Sequence, residues 1–280
     1  MNKILFPTEW SNESLIAFEF ACIYAMEKGS KIVVLNTYKI DDNKSANIED
    51  LNKIAYDQQC ENRDQFLERF KVENEDVNLS SLVAEIKIIE GDPSIEIVEA
   101  TVPMDIELVV IGRDGLKPEK NGVRGTVTSN VIRKAYCPVI VIPPIKRSFS
   151  LDKILCAIDF KSDKRLAVSS VMNFACLFEA EVTFLYVCSA KKCTEEELVF
   201  RENFKTTQYY LSNLEKWKID IIEGEDALAE IQEYLDLNKF DLLAVETTAY
   251  KTNKGKEYKT IVNNLAVEVD IPLFILHTKK

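Results

Sequence analysis

The sequence predicts an α/β protein built from two tandem sandwiches, each with a five-stranded parallel sheet covered by helices. Two observations support this fold class. Short, continuously apolar runs alternate with helix-like stretches, a pattern typical of parallel strands that are buried on both faces. The same series of segments also occurs twice along the 280-residue chain. A chain of this length suits two domains of ordinary size, and we expect them at residues 1–146 and 147–280.

The two halves match segment by segment. In each half an apolar strand is followed by an amphipathic helix, a second strand, a third strand that ends in Glu-Gly, and a fourth and a fifth strand. The matching segments are 3–9 and 153–159, 14–28 and 165–179, 31–37 and 181–187, 88–91 and 221–224, 107–111 and 241–245, and 137–141 and 271–275. A long polar helical stretch at 47–70 lengthens the second crossover of the first half, and its polarity predicts a solvated helix.

Composition excludes several functional classes. The chain carries a formal net charge of −11, whereas nonspecific binding to nucleic acid or to anionic membranes needs a basic face. We therefore expect neither nucleic acid nor a membrane as a partner. No apolar run approaches the roughly 20 residues that span a bilayer, and residues 1–3 lead directly into a strand rather than a signal peptide. These features predict a cytoplasmic protein.

The seven cysteines and the single histidine offer few metal ligands. The cysteines whose apolar neighbours predict small core residues are Cys22, Cys137, Cys156 and Cys176. Cys188 and Cys193 follow a strand end and leave a redox or metal role open, with His277 as the one histidine that could assist. We predict no metal site made of protein ligands.

Half of the eight glycines fall between residues 111 and 129. Gly112, Gly115, Gly122 and Gly125 follow a predicted strand and precede a helix-like stretch. A strand, a glycine-bearing loop and a helix N-terminus form a phosphate cradle, because the loop and the first helical turn present free backbone N–H groups to an anion. The alternative is that these glycines only shape a surface turn.

This loop and the internal repeat make the chain resemble the universal stress protein family in its tandem two-domain form, over essentially its whole length. Family members that bind ATP carry a glycine, two residues, a glycine, nine residues, a glycine and then Ser or Thr. Gly112, Gly115, Gly125 and Thr126 have that spacing. The resemblance implies an adenine-nucleotide alpha-hydrolase-like, Rossmann-like fold that binds ATP, with or without Mg²⁺.

The resemblance also implies roles for residues of the first half. Gly112 and Gly115 would let the backbone approach the ribose and phosphates, and the residues from Gly125 onward would wrap the phosphates. The backbone of Thr37 would read the adenine edge, and Glu9 stands where the family usually has the shorter Asp. The implied nucleotide-binding residues are Pro7, Thr8, Glu9, Thr37, Ile111, Gly112, Gly115, Gly125, Thr126, Val127 and Thr128.

The second half departs from this pattern at the three loop glycines. The residues aligned with them are Glu246, Ala249 and Lys259. A carboxylate would repel the anionic phosphates, and a lysine side chain would fill space through which the backbone must pass. Thr260 keeps the hydroxyl of Thr126, and Asp159 keeps an acidic group after the first strand, but these two alone do not make a site. We expect nucleotide in the first half only.

The implied function is that of a nucleotide-binding regulatory protein of the stress response rather than an enzyme. Two alternatives stay open: a weak ATPase or nucleotide-dependent transferase in which Glu9 and Asp114 position a metal on the triphosphate, and an interaction scaffold without nucleotide. Besides an adenine nucleotide we expect unidentified protein partners. We also expect an internal pseudo-dimer in which the fifth strands, 139–141 and 273–275, pair antiparallel and hide both sheet edges, with homodimerisation of whole chains as a further option.

Overall fold

Strands and helices alternate along both halves of the chain, and neighbouring strands within each half are parallel. The computed structural model describes residues 2–40, 48–113, 126–145, 149–158, 165–188, 193–205, 216–247 and 255–277. The chain divides into two units, Met1–Lys146 and Arg147–Lys280. Each unit is an α/β sandwich, as the sequence predicts. Among the described helices, none has the length and apolar character needed to cross a membrane.

The first unit has the strand order β3-β2-β1-β4-β5. Its strands are β1 (Lys3–Pro7), β2 (Lys31–Tyr38), β3 (Val83–Glu90), β4 (Ile106–Gly112) and β5 (Val139–Ile142). Its helices are α1 (Asn12–Lys28), α2 (Ile48–Glu73), the single turn α3 (Leu79–Leu82), α4 (Pro93–Ala100) and α5 (Thr126–Lys134). The central strands β1 and β4 are neighbours although they are far apart in the chain.

The second unit repeats this order as β8-β7-β6-β9-β10. Its strands are β6 (Lys153–Ala157), β7 (Glu181–Cys188), β8 (Trp217–Glu223), β9 (Leu242–Thr247) and β10 (Leu273–His277). Its described helices are α6 (Arg165–Leu177), α7 (Cys193–Lys205), α8 (Ala227–Leu237) and α9 (Gly255–Glu268). The register also repeats, since Gly112 lies opposite Ile142 and Glu246 lies opposite Leu276.

Helix α1 begins and ends where the sequence supplies caps. The Ser11 side chain caps its N-terminus, and Gly29 ends it with φ 69°, a left-handed conformation that glycine adopts at little cost. Ala17, Ala21 and Ala25 recur every four residues and are all buried, so this stripe packs toward the sheet. The helix thereby fixes the loop that precedes it at the carboxyl end of β1.

Helix α2 differs from the solvated helix that its polarity predicts. Its N-terminal part is exposed, with Ile54 66% accessible. Its C-terminal part packs into the core through Phe66 and Phe70, which are almost completely buried. The ring centroids of these two residues lie 5.7 Å and 4.7 Å from that of Phe18 in α1. The prediction of a fully solvated helix is therefore wrong for the last two turns.

The second unit docks its corresponding helix in the same way. Phe200 and Phe204 of α7 are buried, and the ring of Phe204 lies 5.2 Å from that of Phe184 in β7. A phenylalanine pair four residues apart thus occurs in the second crossover of both units, a repeat that sequence reasoning missed.

Three of the four predicted core cysteines, Cys22, Cys137 and Cys156, are buried. Cys176 is exposed, so the prediction is wrong there. The buried stripe of α6 runs through Val168, Val171, Met172 and Ala175, and Cys176 comes one residue, about 100° of helical rotation, after it. Cys188 is disulfide-bonded, and the side chain of Cys193 lies outside the described part of the chain.

Candidate functional site

The candidate site lies where β1 and β4 meet. These strands are side by side, with Leu5 opposite Val109. From β1 the chain crosses to β2 on one side, and from β4 it crosses to β5 on the other. In a parallel α/β sheet such a reversal leaves a crevice at the carboxyl ends of the two strands, where ligands bind. Pro7 ends β1 and Gly112 ends β4, so the fold brings these two predicted site residues to the same edge of the sheet.

Buried Thr8 fixes the loop after β1 through hydrogen bonds of its backbone and its hydroxyl. It is only 6% exposed; its N–H donates to the carbonyl of Leu35 (2.9 Å), and its carbonyl accepts from Nδ2 of Asn36 (2.9 Å). Its hydroxyl accepts from the N–H of Trp10 (3.0 Å) and lies 3.0 Å from Ser14 Oγ. Sequence reasoning missed Asn36, although a buried amide within an otherwise apolar strand signals such a role.

Glu9, unlike its neighbour Thr8, is exposed. Its carboxylate accepts a hydrogen bond of 2.5 Å from the Ser11 hydroxyl. The Ser11 oxygen in turn accepts from the N–H of Ser14 (3.1 Å), so one serine both caps α1 and orients the carboxylate. The Glu9 carboxylate therefore lies near the N-terminus of α1, where the helix dipole favours a negative charge.

Gly112 borders open space at the end of β4. A Cβ atom built at Gly112 would meet no heavy atom of the described residues within 4 Å. Among the described glycines only Gly29 has a positive φ, so the backbone conformation of Gly112 is one that other residues also adopt. Packing against the described residues therefore does not require glycine here. Ile111, just before it, is buried in the strand.

The first turn of α5 lies next to this glycine. The helix begins with Thr126, Val127 and Thr128, whose N–H groups have no partner within the helix. The Thr128 side chain is almost completely buried, and its hydroxyl reaches the carbonyl of Gly112 at 3.5 Å. The end of β4 and the positive end of α5 thus border the same crevice. Gly115, Gly125 and the side chain of Thr126 lie outside the described part of the chain.

Thr37 lies near the carboxyl end of β2, the neighbour of β1 on the other side. It is half-buried and stands opposite Ile89 of β3. The hydroxyl of the next residue, Tyr38, donates to Asn52 Oδ1 of α2 at 2.6 Å, and Asn52 Nδ2 donates to Glu90 at 3.0 Å. The beginning of α2 therefore contacts the carboxyl ends of β2 and β3, beside the backbone predicted to read adenine.

Comparison with known proteins identifies the family. The sequence model of the Universal stress protein family matches residues 1–143, about half of the chain. The chain belongs to the universal stress protein family. A universal stress protein of Methanocaldococcus jannaschii is 27% identical over 151 residues, which cover 50% of this chain and 93% of that protein. A second one from the same organism is 26% identical over 145 residues, 52% of this chain and 84% of the relative.

A solved structure extends the likeness in fold to both units. The crystal structure of a universal stress protein from Archaeoglobus fulgidus has a TM-score of 0.73 and covers 100% of this chain and 97% of its own. At 16% identity this match shows the fold. Together with the repeated strand order, it shows that the second unit has the same fold as the first.

The second unit differs from the first at the corresponding strand end. Glu246 occupies the register position of Gly112. Helix α9 begins at Gly255, five residues before Thr260, whereas α5 begins at Thr126 itself. The N–H of Thr260 therefore lies beyond the first four, in the part of a helix where N–H groups bond internally. Ala249, Asp159 and the side chains of Lys259 and Thr260 lie outside the described residues.

Among the residues that the structure describes, no group of three or more His, Cys, Asp or Glu side chains could hold a metal ion. Asp114, a candidate for positioning a metal, falls outside them.

Proposed function

We propose that the protein binds one adenine nucleotide, ATP with or without Mg²⁺, in the crevice between β1 and β4 of the first unit. We propose further that it acts as a nucleotide-dependent regulator of the stress response rather than as an enzyme. The observation that carries the proposal is the open space at Gly112 beside the first turn of α5. Membership of the universal stress protein family supports the regulatory role.

The residues present fit a nucleotide. The open space at Gly112 admits a ligand where any side chain would project, and the N–H groups of Thr126, Val127 and Thr128, which have no partner within the helix, suit phosphate oxygens. Gly115 and Gly125 would continue this cradle through the loop. On the other side of the crevice, residues 7–9 and the backbone of Thr37 would hold the ribose and the adenine base. When bound, the nucleotide would bring its triphosphate charge to these N–H groups.

The second unit would bind no nucleotide. Glu246 would place a carboxylate where the first unit leaves space for phosphate, and like charges repel. The early start of α9 would also leave Thr260 without a free N–H to offer. Both features support one nucleotide per chain.

Calorimetric titration of Gly112→Ala with ATP tests the site. We expect the affinity to fall about tenfold or more, which corresponds to roughly 1.4 kcal/mol or more, because the added methyl group enters the ligand space. Thermal unfolding should stay unchanged, because the methyl group meets no atom in the part of the chain that the structure describes.

Gly29→Ala is the matched control. It forces a non-glycine residue into φ 69°, which costs about 1 kcal/mol or more, so the melting temperature should fall while ATP affinity stays the same. Equal ATP affinity of Gly112→Ala and the wild type, or no binding by the wild type at millimolar ATP, would contradict the proposal.

A further inference from the structure

We propose that Arg69 of α2 is a positioning residue for the nucleotide site, which holds the loop after β1 in the conformation that presents Glu9. This inference rests on the proposed function and adds to it a residue that lies outside both sequence motifs. Arg69 comes from the long helix of the second crossover, 59 positions from the loop residue it contacts.

The Arg69 guanidinium joins α2 to the loop. Its Nη2 donates to the carbonyl of Trp10 at 3.2 Å, and its Nη1 donates to Oδ1 of Asn12, the first residue of α1. Its Nε donates to the carbonyl of Gln65 within α2 (3.3 Å). A planar guanidinium with several donors in a fixed arrangement can hold two acceptors at once, and here it bridges the turn between β1 and α1.

The carbonyl that Arg69 contacts belongs to a strained residue. Trp10 has φ 64°, a left-handed conformation that is unfavourable for a bulky residue and persists only when its surroundings hold it. Its N–H is fixed by the Thr8 hydroxyl, and Arg69 fixes its carbonyl. Glu9 directly precedes it, so the direction of the Glu9 side chain depends on this turn.

The helix that carries Arg69 is itself firmly anchored. Phe66, three residues earlier on α2, is completely buried. Its ring centroid lies 5.5 Å from that of Trp10, edge to face, and 6.5 Å from that of Phe6 in β1. The Trp10 ring and the Trp10 carbonyl are therefore both held by one helix.

The second unit shows that the arginine is not needed to dock the helix. Residues 66–71 read FLERFK and residues 200–205 read FRENFK, so Asn203 stands in place of Arg69. Phe200 and Phe204 are nevertheless buried in α7. The unit without the loop glycines also lacks the arginine, which links Arg69 to the site rather than to helix packing.

The test replaces Arg69 in the full chain. Arg69→Asn copies the residue of the second unit, and Arg69→Lys restores the charge but not the planar fork. The chain has two tryptophans, so in a Trp217→Phe background the emission under selective tryptophan excitation reports on Trp10 alone. Arg63→Ala on the same helix, which removes the ion pair between Arg63 Nε and Asp64 (2.8 Å), is the control.

We expect Arg69→Asn to weaken ATP binding about fivefold or more, the range of ordinary coupling between sites. We also expect it to shift the Trp10 emission in the absence of nucleotide. Arg69→Lys should give an intermediate affinity, and Arg63→Ala should change neither quantity. Far-ultraviolet circular dichroism should show unchanged helix content in all variants.

Three results separate the possibilities. If the wild type binds ATP and Arg69→Asn binds it equally well, the inference is overturned while the proposed function stands. If Arg69→Asn loses affinity without any shift of the Trp10 emission, Arg69 contacts the nucleotide directly and is not a positioning residue. If the wild type binds no adenine nucleotide, the proposed function fails first, and the role of Arg69 at that site fails with it.

Discussion

At the scale of single residues, Asp92 ties the end of β2 to the start of α4. Its carboxylate accepts from the Ser94 N–H (2.9 Å) as the N-cap of α4, and from Lys39 Nζ (2.7 Å). Lys39 follows directly after β2. The hydrogen bond from Lys39 is the main cause that lowers the pKa of Asp92 below its ordinary value, with the Ser94 N–H as a smaller cause.

This pKa shift predicts a pH dependence of stability. A carboxylate whose pKa is lowered in the folded state stabilises the protein above its unfolded-state pKa of about 4, and the contribution is lost as the pH falls through the folded-state pKa. Asp92→Asn should therefore be less stable than the wild type at neutral pH, with the difference closing in acid. Urea unfolding at several pH values measures this difference in the free energy of unfolding. Lys39→Met should show the same pH dependence. A difference between Asp92→Asn and the wild type that stays constant down to pH 2 would contradict the prediction.

At the scale of elements, α2 consists of two parts with different roles. Its first turns contact the carboxyl ends of β2 and β3 through Asn52, and its last turns pack on α1 and β1 through Phe66 and Phe70. The helix therefore connects the carboxyl ends of β2 and β3, on the adenine side of the proposed site, with the packed core around α1 and β1.

Removing a buried side chain from the packed part of α2 should destabilise the first unit strongly. Phe66→Ala removes a completely buried ring, and such changes cost about 3–5 kcal/mol. Ile54→Ala, on the exposed part of the same helix, should change the free energy of unfolding by roughly 0.5 kcal/mol or less. Urea unfolding of both variants is the measurement, and similar losses for the two would show that α2 does not pack as described.

Much of this architecture is predictable from sequence, because buried parallel strands are continuously apolar and the repeat aligns them. Pro7 and Gly112 are predictable for the same reason: both stand at strand ends. The docking of α2 is not, because Phe66 and Phe70 are interspersed with Glu68, Arg69 and Lys71, which hide the apolar period. The contact between Arg69 and Trp10 is also not predictable, since nothing local signals a bond between residues so distant in the chain.

At the scale of the whole molecule, the two units share a strand order but differ where a nucleotide would bind. The first has Gly112 at the end of β4, and the second has Glu246 at the matching position of β9. The two copies of the fold thus differ in the residue at this strand end, and we expect this difference to appear in the number of nucleotides bound per chain.

The stoichiometry in the full chain tests this difference. Calorimetric titration with ATP should give one site per chain in the wild type, and Gly112→Ala should weaken that single site without revealing another. Glu246→Ala should leave the stoichiometry at one, because α9 would still begin too early. Two sites in the wild type, with one surviving unchanged in Gly112→Ala, would refute a nucleotide-free second unit.

The pairing of β1 with β4 has a consequence for the order in which the protein becomes functional. The crevice lies between the strand ends at positions 7 and 112. The ribosome therefore synthesises its two sides at very different times. Contacts between residues this distant in the chain carry a loop-closure cost and slow folding. A nascent chain that includes Glu9 but not yet α5 would lack the residues proposed to bind phosphate. Nucleotide binding would therefore select for chains whose first unit is complete.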